Sequence, residues 1–245
     1  MPLALILLLV NAMLIIHAAK TGRFWPWAYV ILLLPGLGAL GYAIVELMPE
    51  VMGSPGGRKA RKRISRSINP EQEYRRLADQ LEIADTIANR AALADECLIL
   101  RRFAEAKRHY EIILGMPLGE DPIYYLRKAR AEFGLGAWQQ VVDTLDDLRQ
   151  RWPDYESGEA HLLYARALEA GGRAQEAVAE YQALSAYYPG AEPRVRHALL
   201  LKMMGRADEA RSLFADVVRQ LRRAPKHARR LQAEWIAIAE RESRA

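Results

Sequence analysis

Gly36-Leu37-Gly38-Ala39-Leu40-Gly41 satisfies the G-x-G-x-x-G spacing with which a glycine-rich turn cradles a pyrophosphate. That chemistry needs a preceding strand, a crossover helix and an acidic ribose ligand about 20 positions further on. Here the match lies within 24–45, a run without Asp, Glu, Lys or Arg, directly after Pro35. Small residues in such a run favour close helix packing instead. The five histidines, His17, His109, His161, His197 and His227, are scattered over different predicted helices without metal-ligand spacing. Cys97 is the one cysteine, which excludes an intrachain disulfide and a multi-thiolate metal site. The chain has no Walker lysine loop, no H-E-x-x-H and no G-x-S-x-G. These residues predict a binding protein rather than an enzyme, with no catalytic, cofactor-binding or metal-ligating residue.

The apolar residues, 51% of the 245, are unevenly spread. Residues 1–19 carry no charge, and neither do 24–45; each run has about the ~20 residues that a helix needs to cross a bilayer core. Only Lys-Thr-Gly-Arg, 20–23, lies between them, so the two predict a transmembrane helical hairpin over 1–48. The formal net charge of +5 is local as well. Residues 1–57 balance Lys20 and Arg23 against Glu46 and Glu50, and residues 58–66 hold six basic residues and no acid. The remainder, 67–245, carries 27 basic against 28 acidic residues. Excess Lys and Arg marks the cytoplasmic side of a membrane, which predicts a bacterial inner-membrane protein with both its start and its long carboxy-terminal part in the cytoplasm. Trp25, Trp27 and Tyr29 are then expected at the opposite interface.

Trp25-x-Trp27 followed by Pro35-x-x-Gly38 and Tyr42 resembles the short two-helix membrane module that precedes the catalytic part of phospholipase D and cardiolipin synthase relatives. Those enzymes use H-x-K-x-x-x-x-D, and no histidine here has a lysine two residues later. The resemblance therefore implies an anchor without the phospholipid chemistry.

Met52-Gly53-Ser54-Pro55-Gly56-Gly57 breaks helix, and Arg58, Lys59, Arg61, Lys62, Arg63 and Arg66 follow, giving a basic juxtamembrane linker over 49–68. Its charge fixes topology and suits anionic headgroups. Nucleic acid is disfavoured, because no aromatic residues are interleaved for stacking.

From Asn69-Pro70-Glu71, a helix-start signal, the pattern becomes helical and repetitive. Small residues recur at Ala94, Ala129, Ala165 and Ala198, and a second row at Ala106, Val141, Ala177 and Ala210 is spaced by 35, 36 and 33 residues. Four positions after the second row come Tyr110, Leu145, Tyr181 and Phe214. The intervening turns are Arg101-Arg102-Phe103, Gly134-Leu135-Gly136, Gly171-Gly172 and Gly205; Pro117, Pro153, Pro189 and Pro225 close the units. Cys97 and Glu132 occupy positions where the other units have Leu. A period near 34 with small-on-large helix packing resembles the tetratricopeptide repeat. The resemblance covers roughly 87–224 and implies an all-α fold: a helical solenoid of about four helix pairs with flanking helices over 69–245, behind the hairpin. A last helix is predicted over 227–242, with Leu231, Trp235, Ile238 and Ala239 on its packed face. Arg219, Arg222, Arg223, Lys226, Arg229 and Arg230 form a second basic cluster beside it.

In that family the first helix of each pair lines a concave groove. The resemblance places Leu126, Arg130 and Phe133 in it from the second unit, Leu162 and Arg166 from the third, and Lys202 from the fourth. Arg130 and Arg166 occupy equivalent positions, where they face either a partner carboxylate or internal acids such as Asp95, Glu159 and Glu169. The expected function is that of a membrane-anchored scaffold or adaptor binding protein partners at the cytoplasmic face. A periplasm-facing assembly scaffold, as in cytochrome c maturation, is the alternative reading; a phospholipid-related enzyme or its accessory subunit is a third.

Overall fold

The computed structural model describes residues 2–20, 24–34, 36–49 and 69–244. The chain divides into two compact units, Met1–Gln72 and Glu73–Ala245, and among the described residues all regular structure is helical. The basic linker residues Arg58, Lys59, Arg61, Lys62, Arg63 and Arg66 lie outside the described residues.

In the first unit, Pro2–Lys20 forms α1, Phe24–Leu33 forms α2 and Leu37–Tyr42 forms α3, which runs into a π-helical turn at Ala43–Leu47. The expected second spanning helix is thus two short pieces. Gly36, with φ at 98°, takes the left-handed backbone that only glycine adopts freely, and this separates α2 from α3. The 10 residues of α2 span about 15 Å, half a bilayer core. Among the described residues no helix is long and apolar enough to cross a membrane. Gly38 lets α3 lie against α2: a Cβ there would stand 2.2 Å from the Val30 carbonyl oxygen. The glycine motif therefore serves backbone approach, not phosphate binding.

The centre of this unit packs Ala18, Ile31 and Tyr42 with Leu14, Ile15, Trp27 and Leu47, and two side-chain hydrogen bonds border it. Tyr42 is 1% exposed; its hydroxyl lies 2.9 Å from His17 Nδ1. Trp27, expected at an interface, turns inward. Its ring meets Tyr42 edge-on at 5.2 Å, and its Nε1–H donates to Glu46 Oε1 at 3.1 Å. Met13, Leu32, Leu33, Leu37 and Leu40 are exposed on the outside.

The second unit begins within the first turn of Glu71–Ile83 (α4). Four antiparallel pairs follow: Ile87–Ile99 with Phe103–Leu114 (α5, α6), Pro122–Gly134 with Trp138–Arg151 (α7, α8), Gly158–Ala170 with Ala174–Tyr187 (α9, α10), and Glu192–Met203 with Ala207–Arg223 (α11, α12). The first helices of three pairs start on side-chain caps: Thr86, Asp121 and Ser157 accept from the Asn89, Ile123 and Ala160 N–H groups.

All four pairs turn the same way. Arg101, Gly136, Gly172 and Gly205 have φ of 59°, 73°, 78° and 82°. The next N–H returns to a carbonyl in the preceding turn of helix: Arg102 to Cys97, Ala137 to Glu132, Arg173 to Leu168 and Arg206 to Leu201, at 2.8–3.0 Å. This Schellman closure satisfies carbonyls that the helix end would otherwise leave bare.

Between the helices, Ala94, Ala129, Ala165 and Ala198 are fully buried, as are Ala106, Val141 and Ala177, with Ala210 at 1%. Tyr110, Leu145, Tyr181 and Phe214 are at most 1% exposed beside them. Cys97 is core, its thiol pushed up to about 12 by burial. One residue breaks the apolar pattern. Glu132, in the slot that Leu168 and Leu201 fill elsewhere, is buried and accepts from the Thr144 hydroxyl at 2.8 Å. The ammonium groups of Lys107 and Lys128 lie 3.6 and 3.5 Å away, yet burial outweighs these partners and holds the carboxyl above its usual range.

The predicted terminal helix is two: Lys226–Leu231 (α13) and Ala233–Glu242 (α14). The break at Gln232 places its side chain where Oε1 accepts the Ala191 N–H at 2.7 Å, supplying from outside the cap that the fourth pair lacks. Trp235, Ile238 and Ala239 pack on the fourth pair as expected. Leu231 does not: it is 78% exposed.

Candidate partner-binding groove

The first helices of neighbouring pairs are joined by charge. Arg127 Nη1 meets Asp95 at 2.8 Å, Arg130 pairs with Glu159, Arg166 stands 3.7 Å from Glu192, and Arg196 bonds Glu169 at 3.0 Å. In each case a guanidinium on one pair reaches an acid on a neighbouring pair, forward from Arg130 and Arg166 and backward from Arg127 and Arg196. Arg196 also lies over the Trp235 ring at 5.2 Å, tying α11 to α14.

Between α7 and α9 this arrangement leaves a groove of about 440 Å³ lined by Arg130, Phe133, Glu159, Leu162, Leu163, Arg166 and Tyr188. Arg166 lies over the Phe133 ring at 4.8 Å, and Phe133 meets Trp138 edge-on at 4.8 Å. Gly134, next in the chain, lets the Phe103 ring of the preceding pair lie against the end of α7, since a Cβ there would stand 2.4 Å from that ring. The Tyr188 hydroxyl titrates above its ordinary value because the ring is partly buried. Chemically the groove offers an apolar floor, two aromatic rings and two guanidinium groups engaged in partly exposed ion pairs. Such pairs contribute only ~0–1 kcal/mol each and exchange readily.

Of the residues predicted to line a groove, Arg130, Phe133, Leu162 and Arg166 come together. Leu126 is core, 2% exposed, and Lys202 bonds Glu242 on α14 at 2.6 Å, away from these lining residues. Tyr188 and Leu163 line the groove without having been predicted. Tyr188 follows α10 and folds back across the pair interface, so no repeat position announces it. Its sequence signal is an aromatic residue directly before the closing Pro189.

A larger cavity of about 650 Å³ lies among α8, the loop after it, and α9 and α10, lined by residues including Leu148, Arg149, Tyr155, His161 and Tyr187. His161 has both ring nitrogens engaged: Nδ1 with the Tyr187 hydroxyl at 2.5 Å and Nε2 with Glu180. That hydrogen bond holds the Glu180 carboxyl below its usual range. Ser157 is occupied as a helix cap. Among the described residues no group of three or more His, Cys, Asp or Glu is placed to hold a metal ion.

Residues 159–191, α9 to the start of α11, match the model of the tetratricopeptide repeat family. The chain is similar to a thermophilic tetratricopeptide protein of Thermus thermophilus, at 21% identity over 67% of this chain and 89% of that one, with a TM-score of 0.49. No curated protein matches the chain.

Proposed function

We propose that this chain is a membrane-anchored scaffold whose helix-pair stack binds protein partners in the groove between α7 and α9, at the cytoplasmic face of a bacterial inner membrane. The observation that carries the binding role is the groove itself: Phe133, Leu162 and Tyr188 supply apolar contact, and Arg130 and Arg166 supply bidentate donors. Aromatic residues and arginine are the side chains that anchor protein interfaces. The anchoring role draws on the first unit, where most exposed side chains among the described residues are apolar while His17 bonds Tyr42 and Trp27 bonds Glu46. The basic run 58–66 against the two charges at 20–23 supports the cytoplasmic orientation.

The test is crosslinking from membranes followed by capture, comparing the parent with the Arg130→Glu/Arg166→Glu variant. Both side chains are at least a third exposed, so folding should survive. Loss of a crosslinked partner with an unchanged circular dichroism melt is the expected result; an unchanged partner set would exclude the groove. A reporter active only after export, fused after Ala245, should stay silent. Its activity would reverse the orientation and favour a periplasmic scaffold.

A further inference from the structure

Arginines of the stack mostly sit on carboxylates: Arg76 on Glu73, Arg173 on Glu176, Arg206 on Glu209, Arg211 on Asp208 and Arg219 on Asp216. From the last turn of α12 through α13 the pattern lapses over a whole cluster, before Arg241 pairs again with Glu242. Arg222, Arg223, Lys226, Arg229 and Arg230 are all exposed, and no carboxylate lies within ion-pair distance of any of them among the described contacts. Two of these arginines end α12 and two end α13, where the helix dipole favours cations. The dipole accounts for where they start but leaves the charged groups in water. Lys226, Arg229 and Arg230 stand at i, i+3 and i+4 and share a face of α13. Leu231 is 78% exposed beside them.

We infer that this end of the stack, α13 with the last turn of α12, docks on an anionic phospholipid surface, with Leu231 entering the headgroup region. Five uncompensated cations match a sheet of lipid phosphates, because each basic group near such a surface adds its own attraction without needing a pocket. None of them lines the groove or the larger cavity, so nothing there desolvates a discrete acidic peptide. No Trp, Tyr or Phe lies between Arg222 and Leu231 to stack on bases. An exposed leucine among cations gains from the acyl boundary and gains nothing from an acidic protein surface. The inference stands apart from the anchoring proposed for the first unit.

The experiment uses the full-length chain carrying Leu231→Cys, labelled with a polarity-sensitive fluorophore. Cys97 is buried and does not compete for label. Vesicles of phosphatidylcholine alone are compared with vesicles that also contain phosphatidylglycerol, each with a headgroup-level spin-labelled lipid as quencher. Quenching should rise roughly twofold or more with the anionic lipid and fall back in high salt. It should be lost in the Arg222→Glu/Arg223→Glu/Arg229→Glu/Arg230→Glu background while the circular dichroism melt is kept. Equal quenching on neutral and anionic vesicles overturns the inference. A shift produced by polyglutamate or single-stranded DNA without vesicles, and none by lipid, also overturns it in favour of a macromolecular partner. Flotation of the same protein with neutral vesicles reports on the anchor alone, so failure of one reading is distinguishable from failure of the other.

Discussion

The two units differ most in what they place on their surfaces. In the helix-pair stack, alanines and large apolar residues fill the inside, and arginine–carboxylate pairs cover the surface. In the amino-terminal unit, Ala18, Ile31 and Tyr42 are buried, His17–Tyr42 and Trp27–Glu46 hydrogen bonds border them, and leucines rather than ion pairs stand outside. Water drives the first arrangement through apolar burial. The second suits the anchoring proposed above, since an apolar exterior gains from contact with hydrocarbon. The same amino-acid types carry different consequences in the two places.

The strongest way to break this contrast is to delete bulk on each side. Phe214→Ala removes a core ring that is 1% exposed and should cost the stack ~3–5 kcal/mol, read as a lower denaturant midpoint. Leu33→Ser/Leu40→Ser removes comparable apolar groups from the outside of the first unit. It should leave the stack's unfolding unchanged and make the protein easier to extract from membranes with alkaline carbonate. If the double variant unfolded the stack, or left extraction unaltered, the two surfaces would not differ as described.

A finer comparison sets the first turn of the stack against the other three. Arg101 holds the left-handed backbone that Gly136, Gly172 and Gly205 hold elsewhere. That conformation costs a non-glycine residue about 1–2 kcal/mol. Arg101→Gly should therefore raise stability by about 1 kcal/mol, and Gly172→Ala, with open space around its Cβ position, should lower it by a similar amount. Equal and opposite shifts in urea midpoint would show that the turns are interchangeable; no gain from Arg101→Gly would show otherwise.

The smallest effect concerns Glu132, the polar intruder among Cys97, Leu168 and Leu201. Its folded carboxyl titrates above the unfolded value, so the folded state holds the proton more tightly. Its favourable contribution is complete below the ordinary carboxylate range and is lost as pH rises through the higher folded value. Stability should decline with rising pH across that window, and Glu132→Gln should flatten the decline. An identical pH profile in the variant would refute the assignment.

The stack was largely legible because its signals are local and recur: a buried alanine, a turn residue and a large side chain return at fixed spacing. The turn position was visible even at Arg101, since the spacing to Gly136 matches that between later turns. Three features were not legible. The apolar run 24–45 reads as one segment, and only the backbone at Gly36 shows that it is two. Gln232 caps Ala191 from 41 positions away, and nothing near either residue signals this. The groove was half visible: its cations occupy repeat positions, whereas Tyr188 arrives from beyond a helix end. Pairing of Arg130 with Glu159 was among the options the residue types allowed; that of Arg166 with Glu192 was not.

The arginine–carboxylate ladder across the first helices has a kinetic consequence. A partner that takes Arg130 or Arg166 must displace Glu159 or Glu192, so binding there is an exchange of counter-charges rather than an addition to an open field. The groove then projects little net potential into solvent. Encounter should proceed at unsteered rates, ~10⁵–10⁶ M⁻¹s⁻¹, and change little with ionic strength. Discrimination between partners would rest on how long the aromatic contacts with Phe133 and Tyr188 hold a ligand, and residence time would be the quantity on which selection acts.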